Sequence, residues 1–168
     1  MPKIIENLER RLLEEARKQI MESGYGSMTI RSVAAACGIG VGTVYHYYPS
    51  KDALIAAFML EDWKQCVETI RVVSADSDSP ETVARSIYDQ LHQFAAKHQA
   101  IIQDETAAAG FAGSFGKYHG LLRDQLSDPL LKFCSSDFSA DFIAESLLTW
   151  TMAGKDFDEL YSIISKLF

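Results

Sequence analysis

Apolar residues recur at spacings of three and four along nearly the whole chain, and polar residues fill the gaps, so the sequence predicts helices. A first helix is expected over about 3–23, with Ile5, Leu8, Leu12, Ala16 and Ile20 on one stripe. Thr29 can cap a second, in which Ile30, Val33, Ala34 and Cys37 make one apolar face about two turns long. Gly38 tolerates the left-handed backbone that stops a helix and turns the chain, and Ile39 plugs the corner. A third short helix can run from Gly40 or Val41 to Tyr47, with Val44 and Tyr48 facing inward. Pro49 closes it and Ser50 caps the next helix at Lys51.

From Lys51 to about Val73 the apolar positions Leu54, Phe58, Trp63, Val67 and Ile70 predict a helix roughly 34 Å long. Ser74 to Ser79 is polar and acidic and reads as a loop. Ser79, Pro80 and Glu81 then supply a cap, a first-turn proline and a first-turn acid for a helix reaching about Lys97. A shorter helix is expected over Ala100 to Ala109, a flexible loop over Gly110 to Gly116, and another helix over about Lys117 to Leu126. Asp128 and Pro129 begin a turn. Phe138 to Met152 predicts a helix ended by Gly154, and Asp156 with Glu159 forms a capping box for the last one. These last two helices are apolar on more than one side, which calls for burial on two sides. In so short a chain the second partner is a second copy, with Phe142, Leu147, Trp150, Phe157, Tyr161, Ile164 and Phe168 as the expected dimer interface. The fold class is all-α, with about nine helices, no strand signals and no repeat.

A helix, a glycine-marked turn and a second helix are the parts of a helix-turn-helix, whose second helix enters the DNA major groove. The string Thr29, Gly38, Ile39, Gly42, Thr43, Tyr45, Tyr48, Ser50, Lys51 resembles the DNA-binding domain of TetR-type transcriptional regulators. The preceding helix, with Leu12, Leu13, Ala16, Ile20 and its Gly24-Tyr25 exit, is similar to that family's first helix. The resemblance covers about the first third; the rest is similar only in being helical and of suitable length. It implies a DNA-binding domain over 1–50 with its recognition helix at about 41–48. It also implies a helical ligand-binding and dimerisation domain over 51–168, joined through the helix that starts at Lys51. The function implied is a ligand-responsive regulator, a repressor, binding a pseudo-palindromic double-stranded DNA operator as a homodimer and answering to a small, largely apolar effector.

On the third helix Val41, Gly42, Tyr45 and His46 lie along one face, flanked by Thr43 and Tyr47. Hydroxyl and imidazole groups can donate to phosphate oxygens. Thr29, Arg31 and Lys51 bracket the same surface. The competing roles for these positions are capping and packing, most of all for Tyr45. Many relatives resemble Ser-Lys or Ser-Arg where this chain has Gly40-Val41. The helix therefore offers no Arg, Lys, Asn or Gln for bidentate base readout. Val41 and the Thr43 methyl are expected to touch thymine methyls, with duplex shape supplying much of the remaining selectivity. That apolar start also supports an alternative function, a helical interaction or sensor protein with weak or lost DNA binding.

Charge changes this picture by its distribution. The net charge of −7 argues against a polyanionic partner, yet residues 1–52 hold seven basic and six acidic side chains, a net +1, which leaves −8 for the remainder. No carboxylate falls between Tyr25 and Lys51, so the local sign suits phosphate. At 168 residues the chain can bury roughly 70% of its unfolded surface without staples. No apolar run reaches the roughly 18 residues of a membrane span, and the first residues alternate apolar with charged rather than forming a secretion signal, so a cytoplasmic location without membrane partners is expected.

Cys37, Cys66 and Cys134 are widely spaced and read as reduced core thiols; no metal set and no cofactor is expected. His92, His98 and His119 are isolated, and no catalytic constellation supports an enzyme. The glycines at 38, 40 and 42 lack the strand and spacing of a dinucleotide fingerprint. Trp63, Tyr88, Phe94, Phe111, Phe115, Tyr118 and Trp150 are mostly core candidates. The family resemblance implies that such residues, with His119, line a ligand pocket between helices.

Overall fold

The computed structural model describes residues 7–168, apart from the side chains of residue 108 and residues 110–117. Its described residues form nine α-helices: α1 (Leu8–Ser23), α2 (Ile30–Cys37), α3 (Val41–Tyr47), α4 (Lys51–Asp76), α5 (Pro80–Lys97), α6 (Gln99–Ile102), α7 (Glu105–Ser127), α8 (Asp137–Met152) and α9 (Phe157–Ile164). Short 3-10 turns cover Asp128–Phe133 and Ser165–Leu167, and no strand occurs among the described residues. The fold is all-α. No helix of the described residues is long and apolar enough to cross a membrane.

The chain divides into two compact units. One runs to Glu61 and takes in His98–Ala112; the other comprises Asp62–Lys97 and Gly113–Phe168. In the first, Leu8, Leu12, Ala16 and Ile20 of α1 are buried as the periodicity requires, joined by Leu13. The expected start of this helix, including Ile5, lies outside the described residues. The core of this unit also holds Leu54, Ile55 and Phe58 from the first turns of α4, together with Ile101 and Ala107. These side chains explain why the unit extends past residue 50: the opening of α4 completes the core beneath α1–α3. The ring of buried His98 stacks on Phe58, with centroids 5.9 Å apart.

The second unit packs Trp63, Ile70, Val83, Ile87, Leu91, Leu126, Leu130, Ile143 and Leu147 with Phe157 and Ile164. Several expectations for elements after residue 73 are corrected. The expected loop at 74–79 is helical through Asp76. Lys132 donates from Nζ to the carbonyls of Ser74 and Ser77, at 2.5 and 2.6 Å, and so satisfies the end of α4 from 55 or more residues away. The expected single helix over 100–109 breaks in two, because Asp104 accepts the N–H groups of Thr106 and Ala107, each at 2.9 Å, and caps a new helix. The expected loop at Gly110–Gly116 lies within α7. Each glycine costs about 1 kcal/mol against alanine in a helix but keeps its N–H, and with no proline present the helix continues. At the start of α9 the Asp156 carboxylate takes the Asp158 N–H at 2.8 Å in place of the expected box with Glu159. Cys37 and Cys66 are buried and Cys134 half-buried, and burial pushes all three thiols up from their ordinary value.

Candidate nucleic-acid interface

Local chemistry sets the geometry of the α2–α3 pair. Thr29 is extended, its Oγ1 accepts the Ser32 N–H at 3.0 Å, and Ser32 Oγ accepts the Thr29 N–H at 3.0 Å, closing a reciprocal cap on α2. Ser32 also donates to Gln19 of α1 at 2.5 Å. At the other end Gly38 takes φ 69°, a left-handed conformation that glycine adopts without steric cost, and Arg11 donates to the Cys37 carbonyl at 3.1 Å. Val44 and Tyr48 point inward and anchor α3 to the core. The Tyr48 hydroxyl reaches Glu9 at 3.4 Å, and burial followed by the Glu9 charge pushes its pKa up to about 12. Tyr25 behaves alike: burial and a 2.8 Å bond to Asp52 push it up to about 12.

With the inward face fixed, the outward face follows. Gly42, Thr43, Tyr45, His46 and Tyr47 of α3 are exposed, as are Thr29 and Arg31. A Cβ added at Gly40 or Gly42 would meet nothing within 4 Å, so the fold has no packing need for glycine at either place. Val41 is different: it is half-buried and packs with Ile39 against the core. Lys51 is also turned toward its own protein. Its ammonium lies 3.8 Å from the Tyr25 ring centroid and donates to the Tyr25 carbonyl, and burial lowers its pKa. Sequence reading missed this clasp because Tyr25 and Lys51 are 26 residues apart and no local signal joins them. Ser50 does cap α4 as expected, accepting the Ala53 N–H at 3.0 Å. Asp52, the first carboxylate after this stretch, is half-buried and bonded to Tyr25.

The residues singled out for a ligand pocket whose side chains are described fall into separate groups in the second unit. Trp63 is buried, donates to Gln125 at 2.7 Å and meets Phe94 edge-on at 5.7 Å. Tyr88 packs on Phe157 at 5.4 Å and donates to the Lys155 carbonyl at 2.9 Å. Tyr118 and Trp150 are exposed. Half-buried His119 meets both oxygens of Glu145 at 3.0 and 2.9 Å; burial works to raise the Glu145 pKa, but bonds from His119 and Thr149 outweigh it and hold the carboxyl below its usual value. Phe111 and Phe115 have side chains outside the described residues. An open cleft of about 440 Å³ lies instead along α4 and α5, lined by polar residues including Thr69, Glu81, Arg85 and Gln93.

The expected dimer residues also divide. Leu147, Phe157 and Ile164 belong to the core of the second unit itself, and Tyr161 and Phe168 are half-buried against it. Phe142 and Trp150 stand about half exposed; Phe138 at 76%, Leu121 at 55% and Ile163 at 62% are exposed too, and the rings of Phe138 and Phe142 lie side by side with centroids 6.5 Å apart. The sequence does not single out Phe138 and Ile163 as exposed, because apolar periodicity alone does not tell a core face from an outer one.

Comparison with known proteins agrees with this geometry. Residues 12–58 match the sequence family described as bacterial regulatory proteins, tetR family. The chain is 27% identical over 93 residues to the HTH-type transcriptional regulator UidR of Escherichia coli, a match covering 55% of this chain and 47% of UidR. The match thus spans about half the length of UidR and about a third of the other curated relatives. The TetR family repressor AlkX from Dietzia sp. superposes with a TM-score of 0.62 at 13% identity, covering 94% of this chain and 97% of AlkX. RolR, solved with resorcinol bound, gives 0.60 at 20% identity, covering 95% and 84%.

Proposed function

We propose, from the TetR-type domain that residues 12–58 form, that this chain is a cytoplasmic DNA-binding transcriptional regulator with no catalytic role. The observation that carries the reading is the outward face of α3. Thr43, Tyr45, His46 and Tyr47 stand exposed beside Arg31, in a stretch with no carboxylate between Tyr25 and Lys51. Such a face can donate to phosphates without a charge opposing them. Two copies, joined through the apolar surface around Phe138, Phe142 and Trp150, would present two such helices to a pseudo-palindromic operator. Capture of duplexes from a random pool tests the reading: enrichment of a sequence with two inverted half-sites supports it, and recovery of the unselected pool contradicts it.

Ligand response belongs to the same proposal. RolR binds resorcinol, and a small, largely apolar effector held in the second unit of this chain would act by favouring one disposition of α4. Linkage then requires the effector to bind free and operator-bound protein with different affinities; equal affinities would end the coupling. One observation favours a second reading, a sensor with lost DNA binding: α3 has no Arg, Lys, Asn or Gln. A duplex affinity indifferent to salt concentration would decide for it.

A further inference from the structure

Resting on the DNA-binding reading above, the geometry points to Thr43 as the residue through which α3 distinguishes bases, and to thymine as the base it selects. In a helix-turn-helix it is the N-terminal part of the recognition helix that meets base edges. Here that part consists of Gly40 at the cap, then Val41, Gly42 and Thr43. The glycines carry no side chain, and a Cβ at either would meet nothing in the protein, which leaves the backbone bare on its outer side. Val41 is half-buried against the core with Ile39. Thr43 is the remaining side chain of the four, and it is exposed.

Its two substituents differ in what they can tell apart. A hydroxyl both donates and accepts, so it can satisfy the major-groove edge of any base and discriminates little. The γ-methyl has one counterpart in the groove, the C5-methyl of thymine. Bare glycine backbone on either side of Val41 lets the helix approach closely enough for two methyl groups to meet. Arg31, on α2, stands where the first helix of the motif crosses the backbone and serves phosphate. Tyr45, His46 and Tyr47 lie in the last turn of this seven-residue helix, beyond the N-terminal part that meets base edges.

The test uses the 168-residue chain and duplexes enriched by it from a random pool. Each thymine of a half-site is replaced in turn by deoxyuridine, which removes only the C5-methyl and keeps the pairing. At one position per half-site the affinity is expected to fall about fourfold, the worth of one buried methyl. Thr43→Ser, which keeps the hydroxyl, should abolish that penalty, while Thr43→Val, which keeps the methyl, should preserve it. Circular dichroism on both variants checks that helix content is unchanged, as an exposed position requires. Tight binding with no deoxyuridine penalty anywhere, or a penalty that persists in Thr43→Ser, overturns the assignment while leaving DNA binding intact. Failure to enrich any duplex removes the DNA-binding reading itself and this inference with it.

Discussion

The outward faces of α3 and α8 are both uncovered, and their chemistry is opposite. On α3 the exposed set is Gly42, Thr43, Tyr45, His46 and Tyr47, residues that are at ease in water and can donate to oxygen. On α8 it is Phe138, Phe142 and Trp150, whose exposure leaves large apolar surface wet. The rings of Phe138 and Phe142 lie side by side, and exposed apolar side chains that cluster mark interaction surfaces where scattered ones do not. The difference teaches that an unpartnered face is informative through what it can do with its partner: one suits a charged, hydrated polymer, the other a dry protein surface.

The largest expected effect breaks the α8 side. Burying a phenylalanine stabilises by roughly 1.5–3 kcal/mol, so Phe138→Asp with Phe142→Asp should weaken self-association at least about a hundredfold in sedimentation equilibrium. Phe138 is exposed in the single chain and Phe142 half exposed, so its own unfolding free energy should move by no more than about 1.5 kcal/mol, half the worth of one buried phenylalanine. An unchanged association constant would remove α8 from the interface.

Next in size is a test of what supports α3 from beneath. Tyr25 and Tyr48 are buried and pushed up to about 12, against about 10 in an unfolded chain. A raised folded value means that the stabilisation is complete below about pH 10 and is lost as pH rises through about 12. Denaturant unfolding of the first unit should therefore weaken steeply over that window. Tyr25→Phe should flatten the slope by about half, and a pH-independent unfolding curve would contradict the buried tyrosine account.

Gly42→Ala separates folding from function on one residue. Alanine is the better helix former by roughly 0.5–1 kcal/mol, and its Cβ meets nothing in the protein, so thermal stability should rise. Duplex affinity should fall about tenfold if the bare backbone is what approaches DNA. A variant both more stable and equally tight would show that Gly42 has no part in the contact. Smallest is Arg31→Ala, which should reduce the salt slope of binding by about one per copy while leaving sequence preference as it was.

Legibility in the sequence followed the range of the interactions. The boundaries of α2 and α3 depend on Thr29, Ser32, Gly38 and Pro49, each acting within a few residues, and the apolar pattern names their inward faces correctly. The end of α4 depends on Lys132, and the clasp that turns Lys51 away from solvent depends on Tyr25; neither can be seen in a local window. The glycines of α7 suggest a loop, but weak helix propensity is not a stop signal when every backbone N–H is kept. Of the candidate contacts, the exposed α3 set follows from helical periodicity, whereas the inward turn of Val41 depends on the core it packs against, built from α1, α2 and the opening of α4.

The account stands most directly on how duplex affinity responds to salt. The affinity of the 168-residue chain for its selected duplex, measured across a range of monovalent salt, should fall with a steep slope, close to −0.9 for every phosphate neutralised. This is expected although the chain as a whole carries −7, because the stretch that meets DNA holds no carboxylate. A slope indistinguishable from zero would mean that the α3 face does not meet the phosphate backbone, and the DNA-binding reading would fall.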